Sequence, residues 1–259
     1  PEPTRGVPNG VLRSALFGAV RKGARRYMEG EYVACVDGVE IRYTGQRLDQ
    51  GDLDVWESVL HVMRLQSMDE QCRFTAYSLL KLMGKADTGS NRDTLHRRLL
   101  RLKANAVELN QSRFSYAGSL IDDVFREKDT HEYVVVLNSK LRPLFSVDQF
   151  TLVEWSVRRA LDGHQLAQWL HGFYSSHAKP HPMRADTFHK LCGSEAVLMS
   201  DFKKDLLRAL EAVAKASKAC GQEFKYEICN NLIYVEKRGS GSQERHLAKK
   251  VTRPQRPRT

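Results

Sequence analysis

An α+β chain with two tandem winged-helix domains is the fold that three observations predict. Asn91–Lys103 (NRDTLHRRLLRLK) is a basic stretch with leucines at helical spacing. It stands between a short apolar run, Phe74–Met83, and two strand-like segments. The same order of short helix, turn, basic helix and hairpin returns over Asp186–Glu236.

Residues 1–30, rich in Gly, Pro and Arg, read as a basic N-terminal arm. Within it Leu12, Leu16 and Phe17 form an apolar stripe able to dock elsewhere, and Arg21–Arg26 (RKGARR) is a candidate backbone-phosphate contact. The first domain then spans 31–147. Tyr32–Tyr43 alternates around Asp37-Gly38, a hairpin signal. A helix capped by Asp49 or Asp52 runs to about Leu65 on Val55, Val59 and Val62. Phe74–Met83 is a short helix with Thr75 as cap and Gly84 as stop, and Thr88-Gly89-Ser90 turns into the basic helix. Ala106–Leu109, Arg113–Leu120 and Tyr133–Leu137 read as the winged sheet, with Arg113 near the wing tip and the acidic interval Asp122–His131 an excursion that makes no DNA contact.

The second domain spans 148–238. Phe150–Ala160 and Gln165–Tyr174 read as helices, and the two prolines of Ser175–Pro182 break the second. Asp186–Leu191 is the short helix, Ser200 the N-cap and Asp201–Ala219 the second basic helix. Phe224–Cys229 and Leu232–Glu236 form a hairpin around Asn230-Asn231. Residues 239–259 are polar, basic and proline-spaced, the composition of a disordered tail.

The net charge of +10 is uneven, because both ends are strongly basic while the two signs balance across 31–235. Cations in the body are therefore significant where helix geometry gathers them. On a wheel with Leu95 at the top, Leu99 and Leu102 fall beside it, Arg97 and Arg101 opposite, Arg98 and Lys103 on the flanks. In the later helix Phe202, Leu206, Leu210 and Val213 oppose Lys204, Arg208 and Lys215 in the same way. The major groove of duplex DNA admits such a helix, and guanidinium groups read guanine edges or clamp phosphates. Either helix alone also fits an ordinary solvated amphipathic element; the recurrence in one context favours groove readers. Arg97, Arg101, Lys204 and Arg208 are the base-edge candidates. Arg92, Arg98, Lys103, Lys203, Lys215 and Lys218 are phosphate candidates, with Ser200 at the helix start and Arg113, Lys237 and Arg238 in the wings.

The sequence offers no catalytic constellation. It has no HExxH, no phosphate-cradling GxxxxGK[ST] and no further acid to complete Asp122-Asp123 as a metal site. The five cysteines contain no CxxC pair, which excludes a zinc-ligand pattern and fits reduced, buried thiols in a cytosolic protein. The expectation is a non-enzyme with no cofactor and no metal. No run approaches a membrane-spanning length. Pro1 is not a natural start, so an earlier segment is expected.

VLRSALFGAVRKG (11–23), IRYTGQRLDQGDLDVW (41–56) and FTAYSLLKLMGK (74–85) resemble the TrfA family of plasmid replication initiators, and the resemblance covers nearly all of 11–238. It implies winged-helix domains that bind repeated double-stranded origin sites, called iterons, in the bacterial cytoplasm. It further implies help in opening an adjacent AT-rich region and recruitment of the host helicase, the host initiator and the polymerase sliding clamp. Monomers would bind the origin, in equilibrium with homodimers formed through the first domain that control copy number. Leu16-Phe17 matches the hydrophobic end of the family's clamp-binding segment but lacks its preceding glutamine. The alternatives are a winged-helix transcriptional repressor, which shares the DNA surface, and a protein-interaction scaffold.

Overall fold

The computed structural model describes residues 3–251 except 21, 22, 24, 37, 67–70, 112, 113 and 147. The chain opens on Thr4–Pro8 (β1), a helical turn at Asn9–Leu12 (α1) and Phe17–Gly18 (β2). Tyr27–Val33 (β3), Val39–Gln46 (β4) and Leu48–Asp49 (β5) lead into the helix Gln50–Gln66 (α2). Gln71–Thr75 (β6), Ala76–Leu82 (α3) and Gly89–Lys103 (α4) follow, then strands Ala106–Gln111 (β7), Phe114–Gly118 (β8), Asp123–Arg126 (β9) and Glu132–Val136 (β10), and a 3-10 helix at Ser139–Phe145.

The first unit, winged-helix-like in its element order, is α2, β6, α3, α4 and the sheet β6-β10-β9. Its local logic is legible in the residues. In β6, Cys72 and Phe74 point inward on alternate positions. Thr75 ends the strand and accepts from the Ser78 N–H at 3.1 Å while the Ser78 hydroxyl faces the Thr75 N–H, a reciprocal cap. Gly84 at φ +73° closes α3, with the Lys85 N–H reaching Leu80 O at 2.8 Å. Leu95, Leu99 and Leu102 of α4 are buried as the wheel required. In α2, Val55 and Val59 are buried and Val62 packs against them, but Leu65 is exposed.

The wing differs from expectation. β7 and β8 are not part of it; they extend β3 and β4 into a four-stranded antiparallel sheet, β3-β4-β7-β8, in which Ile41 pairs with Leu109 and Val107 with Gly118. The wing is β9 and β10, so the interval Asp122–His131, read as an excursion, supplies a wing strand and its turn. Alternation identifies a strand but not its neighbour. β7 turns Val107 and Leu109 to the apolar face of β4, whereas β9 has only half-buried Val124 to offer.

The N-terminal reading is also corrected. β1 pairs antiparallel with Phe150–Glu154 (β11), from Thr4↔Glu154 to Pro8↔Phe150, so this segment is structural and not an arm. Val7, Val11, Leu12, Leu16 and Phe17 lie in the core because only there can so apolar a run leave water. With Leu16 and Phe17 at 3% and 1% exposure, they are closed to any clamp contact. Of the Arg21–Arg26 cluster, Arg21, Lys22 and Ala24 lie outside the described residues, and Arg25 and Arg26 pair with Asp49 and Glu31.

After β11 come Trp155–Ala160 (α5), Gln165–Ser175 (α6), Met183–Arg184 (β12), Ala185–Leu191 (α7), Met199–Ala219 (α8), Phe224–Cys229 (β13), Leu232–Lys237 (β14) and Gly241–Val251 (α9). The sequence expected one helix over Phe150–Ala160; pairing with β1, distant in sequence, makes its first five residues a strand. With α7 and α8, the sheet β12-β14-β13 makes a second unit of winged-helix-like element order. Asn230 and Asn231, at φ +51° and +62°, form its wing tip, conformations that asparagine tolerates. Residues 241–251 are helical where a disordered tail was expected, because the Gln243 amide donates to Ser175 O at 2.7 Å and anchors the helix; 252–259 lie outside the described residues.

One apolar core runs from Val7 to Trp155 and a second from Val157 to Val235. They meet across a buried polar junction. Arg158, 1% exposed, donates to Asp54 Oδ1 (2.6 Å), to Gln50 O (3.0 Å) and to Gln50 Oε1 (3.2 Å), with Glu57 at 3.5 Å. The Gln168 amide donates to Asp54 Oδ2 at 3.1 Å, and the Trp169 indole to Ser14 O at 3.0 Å. Such contacts hold α2 against α5 and α6 at one angle, since any slip leaves buried charges unpaired.

Candidate nucleic-acid interface

The cations of α4 divide into two groups. Arg98 donates to Asp49 Oδ1 (2.5 Å) and Asp52 Oδ1 (2.9 Å), and Arg101 to Asp52 Oδ1 (2.7 Å). Both carboxylates are buried at the start of α2, where they cap each other's backbone: the Asp49 N–H donates to Asp52 (3.0 Å) and the Asp52 N–H to Asp49 (2.9 Å). Burial works to raise the Asp49 carboxyl, but Arg98 and then Arg25 outweigh it and hold it below the usual carboxylate range. Asp52 is pushed up, first by burial and then by the Asp49 charge. Arg98 and Arg101 therefore fasten α4 to α2. The wheel set Arg101 at the centre of a free face; the structure turns it into a structural ion pair.

The remaining α4 cations lie nearer solvent. Arg92 forms a two-pronged pair with Asp87, both contacts at 2.6 Å, and Lys103 pairs with Asp123 of the wing. Arg97 is exposed, its one contact among the described residues being Thr94 Oγ1 at 3.2 Å. The outward face of α4 thus carries Asp93, His96, Arg97 and Leu100, and is far less cationic than its composition indicates. Arg113 lies outside the described residues.

On α8 the cations stay outward. Phe202, Leu206, Leu210 and Val213 are buried, and Lys203, Lys204, Arg208, Lys215 and Lys218 are exposed around Leu207, with Glu211 the acid among them. Lys204 meets Asp201 at 3.5 Å and Arg208 meets Asp205 at 3.3 Å, one turn away. Exposed pairs of this kind contribute about 0–1 kcal/mol and yield readily to a phosphate. Lys203, Lys215 and Lys218 make no ion pair among the described residues. Ser200 is not the N-cap: α8 begins at Met199, capped by no side chain, and Ser200 is exposed in its first turn.

Lys237 and Arg238 sit at the base of the second wing, not at its tip. Burial beneath α9 draws the Lys237 ammonium down to about 8, and it donates to Gln243 Oε1 at 3.1 Å. Arg238 is exposed, 4.0 Å from Glu244. The structure thus gathers Ser200, Lys203, Lys204, Arg208, Lys215 and Lys218 on one helix, keeps Arg97, Arg92 and Lys103 toward solvent on the other with the last two in surface ion pairs, and withdraws Arg98, Arg101 and Lys237. Sequence reasoning missed the role of Asp49 and Asp52 as partners of α4, although two acids three residues apart before a helix were the available signal. Among the described residues no group of three or more His, Cys, Asp and Glu is placed to hold a metal ion, and no helix is long and apolar enough to cross a membrane.

The profile of the family described as TrfA protein matches residues 1–221. The plasmid replication initiator protein TrfA of Escherichia coli is 28% identical over 219 residues, which cover 82% of this chain and 57% of that protein. The chain therefore spans little more than half the length of that curated relative. Two crystal structures of domains 2 and 3 of RctB superpose with TM-scores of 0.59 and 0.54 at 16% and 15% identity, each over 88% of this chain and 97% of the other. The Pi initiator protein, solved in complex with iteron DNA, superposes with a TM-score of 0.50 at 12% identity, over 73% of this chain and 94% of that one. At these identities the likeness is one of fold, a mixed helix-and-sheet architecture of winged-helix type.

Proposed function

This chain belongs to the TrfA protein family, and on that premise we propose that it is a plasmid replication initiator that binds repeated double-stranded origin sites without covalent chemistry. The observation that carries the reading is α8, a winged-helix second helix whose five cations face outward around one leucine while its apolar stripe is buried. Laid in the major groove, it would bring Lys204 and Arg208 to base edges and Lys203, Lys215 and Lys218 to the flanking phosphates. The Asn230-Asn231 turn and Arg238 would face the adjoining backbone. In the first unit Arg97 is the base-edge candidate, with Arg92 and Lys103 released to phosphate as their surface pairs exchange. The buried junction around Arg158 would hold the two units at fixed spacing, which suits a long composite site.

The family premise extends the proposal to opening of an adjacent AT-rich region, to contacts with the host helicase and host initiator, to a sliding-clamp contact through residues other than the buried Leu16-Phe17, and to a monomer–homodimer equilibrium. The last has a local support: β3 is the edge of its sheet and exposes Tyr27 and Tyr32, a strand open to pairing. The activity would take place at plasmid DNA in the bacterial cytoplasm.

Footprinting on duplexes with direct and with inverted repeats, at stated salt, tests the proposal. Protection of successive direct repeats by monomers is expected. Protection only of inverted sites by dimers would make the protein a repressor with the same surface, and absence of sequence-dependent protection would refute both.

A further inference from the structure

Resting on the reading that α8 and α4 enter duplex grooves, we infer that Leu207 and Leu100 read thymine 5-methyl groups in the major groove. Each helix buries its apolar stripe and places one leucine on its outward flank, 40% exposed at Leu207 and 43% at Leu100. The two positions are equivalent. Each follows a buried leucine, Leu206 or Leu99, within a shared Leu-Leu-Arg sequence at 206–208 and 99–101. Each helix also has the same place in its unit, after a short helix and before the wing. A lone exposed leucine carries no information; the same exposed leucine on the same face of two helices built alike does.

The surroundings select the occupant. Lys203 and Lys204 lie one turn before Leu207, Arg208 beside it and Lys218 further along the same side, against one acid, Glu211, a turn after it; His96 and Arg97 lie one turn before Leu100 and Asp93 two turns before. On α8 this is a mainly cationic rim around an apolar centre, which suits a polyanion whose groove floor bears an apolar group; α4 repeats the centre with a weaker rim. In duplex DNA that group is the thymine methyl, which projects only into the major groove.

The test begins with duplexes enriched by the wild-type chain from a randomised pool, then remade with deoxyuridine at single thymines, which removes only the methyl. At one or more thymines the replacement is expected to weaken wild-type binding about fourfold, the value for one methyl-sized group withdrawn from water. Leu207→Ala or Leu100→Ala then erases the difference at its own thymine, with the salt dependence and thermal midpoint unchanged, since both side chains are largely outside the core. If no thymine shows a methyl effect, or both variants retain it, the leucine assignment is overturned while groove binding stands. If no sequence is enriched at all, the groove reading falls and this inference with it.

Discussion

Replacing Arg98 with methionine separates a structural cation from a reading one. The guanidinium serves two buried carboxylates, Asp49 and Asp52, which are 1% and 0% exposed. Breaking a buried ion pair from one side costs about 3–5 kcal/mol, because the surviving charge has neither partner nor water. Here the loss falls at or below the lower end of that range. Arg98 is itself 20% exposed, Asp49 keeps Arg25 and Asp52 keeps Arg101. A destabilisation of about 2–3 kcal/mol is expected, which lowers the thermal midpoint by roughly 4–12 °C for a chain of this size. Methionine retains most of the side-chain volume and helix preference, so the loss reports the charge. Paired calorimetry and binding titrations on the enriched duplex provide the assay. The midpoint falls, while sequence preference, measured well below that midpoint, stays as in wild type. A midpoint unchanged within about 1 °C, together with loss of discrimination at one base pair, would show that Arg98 faces the duplex and that its pairing with α2 is wrong.

Three further outcomes follow from the same geometry. Glu57 is buried with neither carboxylate oxygen hydrogen-bonded, and burial pushes its pKa from 4.5 to about 7. The folded state thus holds a proton between those values that the unfolded state has released, so this group's contribution to stability declines as pH rises from 4.5 to 7. At about 1.4 kcal/mol per pH unit the decline is roughly 3 kcal/mol, and denaturant melts of Glu57→Gln should show it removed. Lys203→Ala and Lys215→Ala should each reduce the slope of log affinity against log salt by about 1 and leave the thermal midpoint in place; titrations at several salt concentrations measure this. Gly84→Ala, at φ +73° where a β-carbon also meets the Arg159 guanidinium, should cost about 1–2 kcal/mol in urea melts without altering the salt slope.

What could be read before folding was the periodic and the local. The leucine stripe of α4, the Phe202-to-Val213 stripe of α8, the Thr75 cap, the Gly84 stop and the Asn-Asn wing turn all follow from residues within one or two turns of each other. Their physics is short-ranged, in side-chain period, backbone handedness and a hydroxyl meeting a nearby N–H. The segments 11–23, 41–56 and 74–85 were enough to point to the family that the profile over 1–221 establishes.

What only the tertiary structure decided was partnership. β7 and β9 both read as short strands or polar intervals, and which became the wing depended on the apolar face that β4 had to offer. The apparent N-terminal arm is a strand because β11, far along the chain, completes it. A helical wheel counts Arg97, Arg98 and Arg101 alike, as cations on the polar side of a helix. Asp49 and Asp52, carried in from the start of α2, claim two of them and leave the third to solvent. Charge in a sequence is a sum over residues, whereas the charge presented to DNA is what remains after the fold has paired its own.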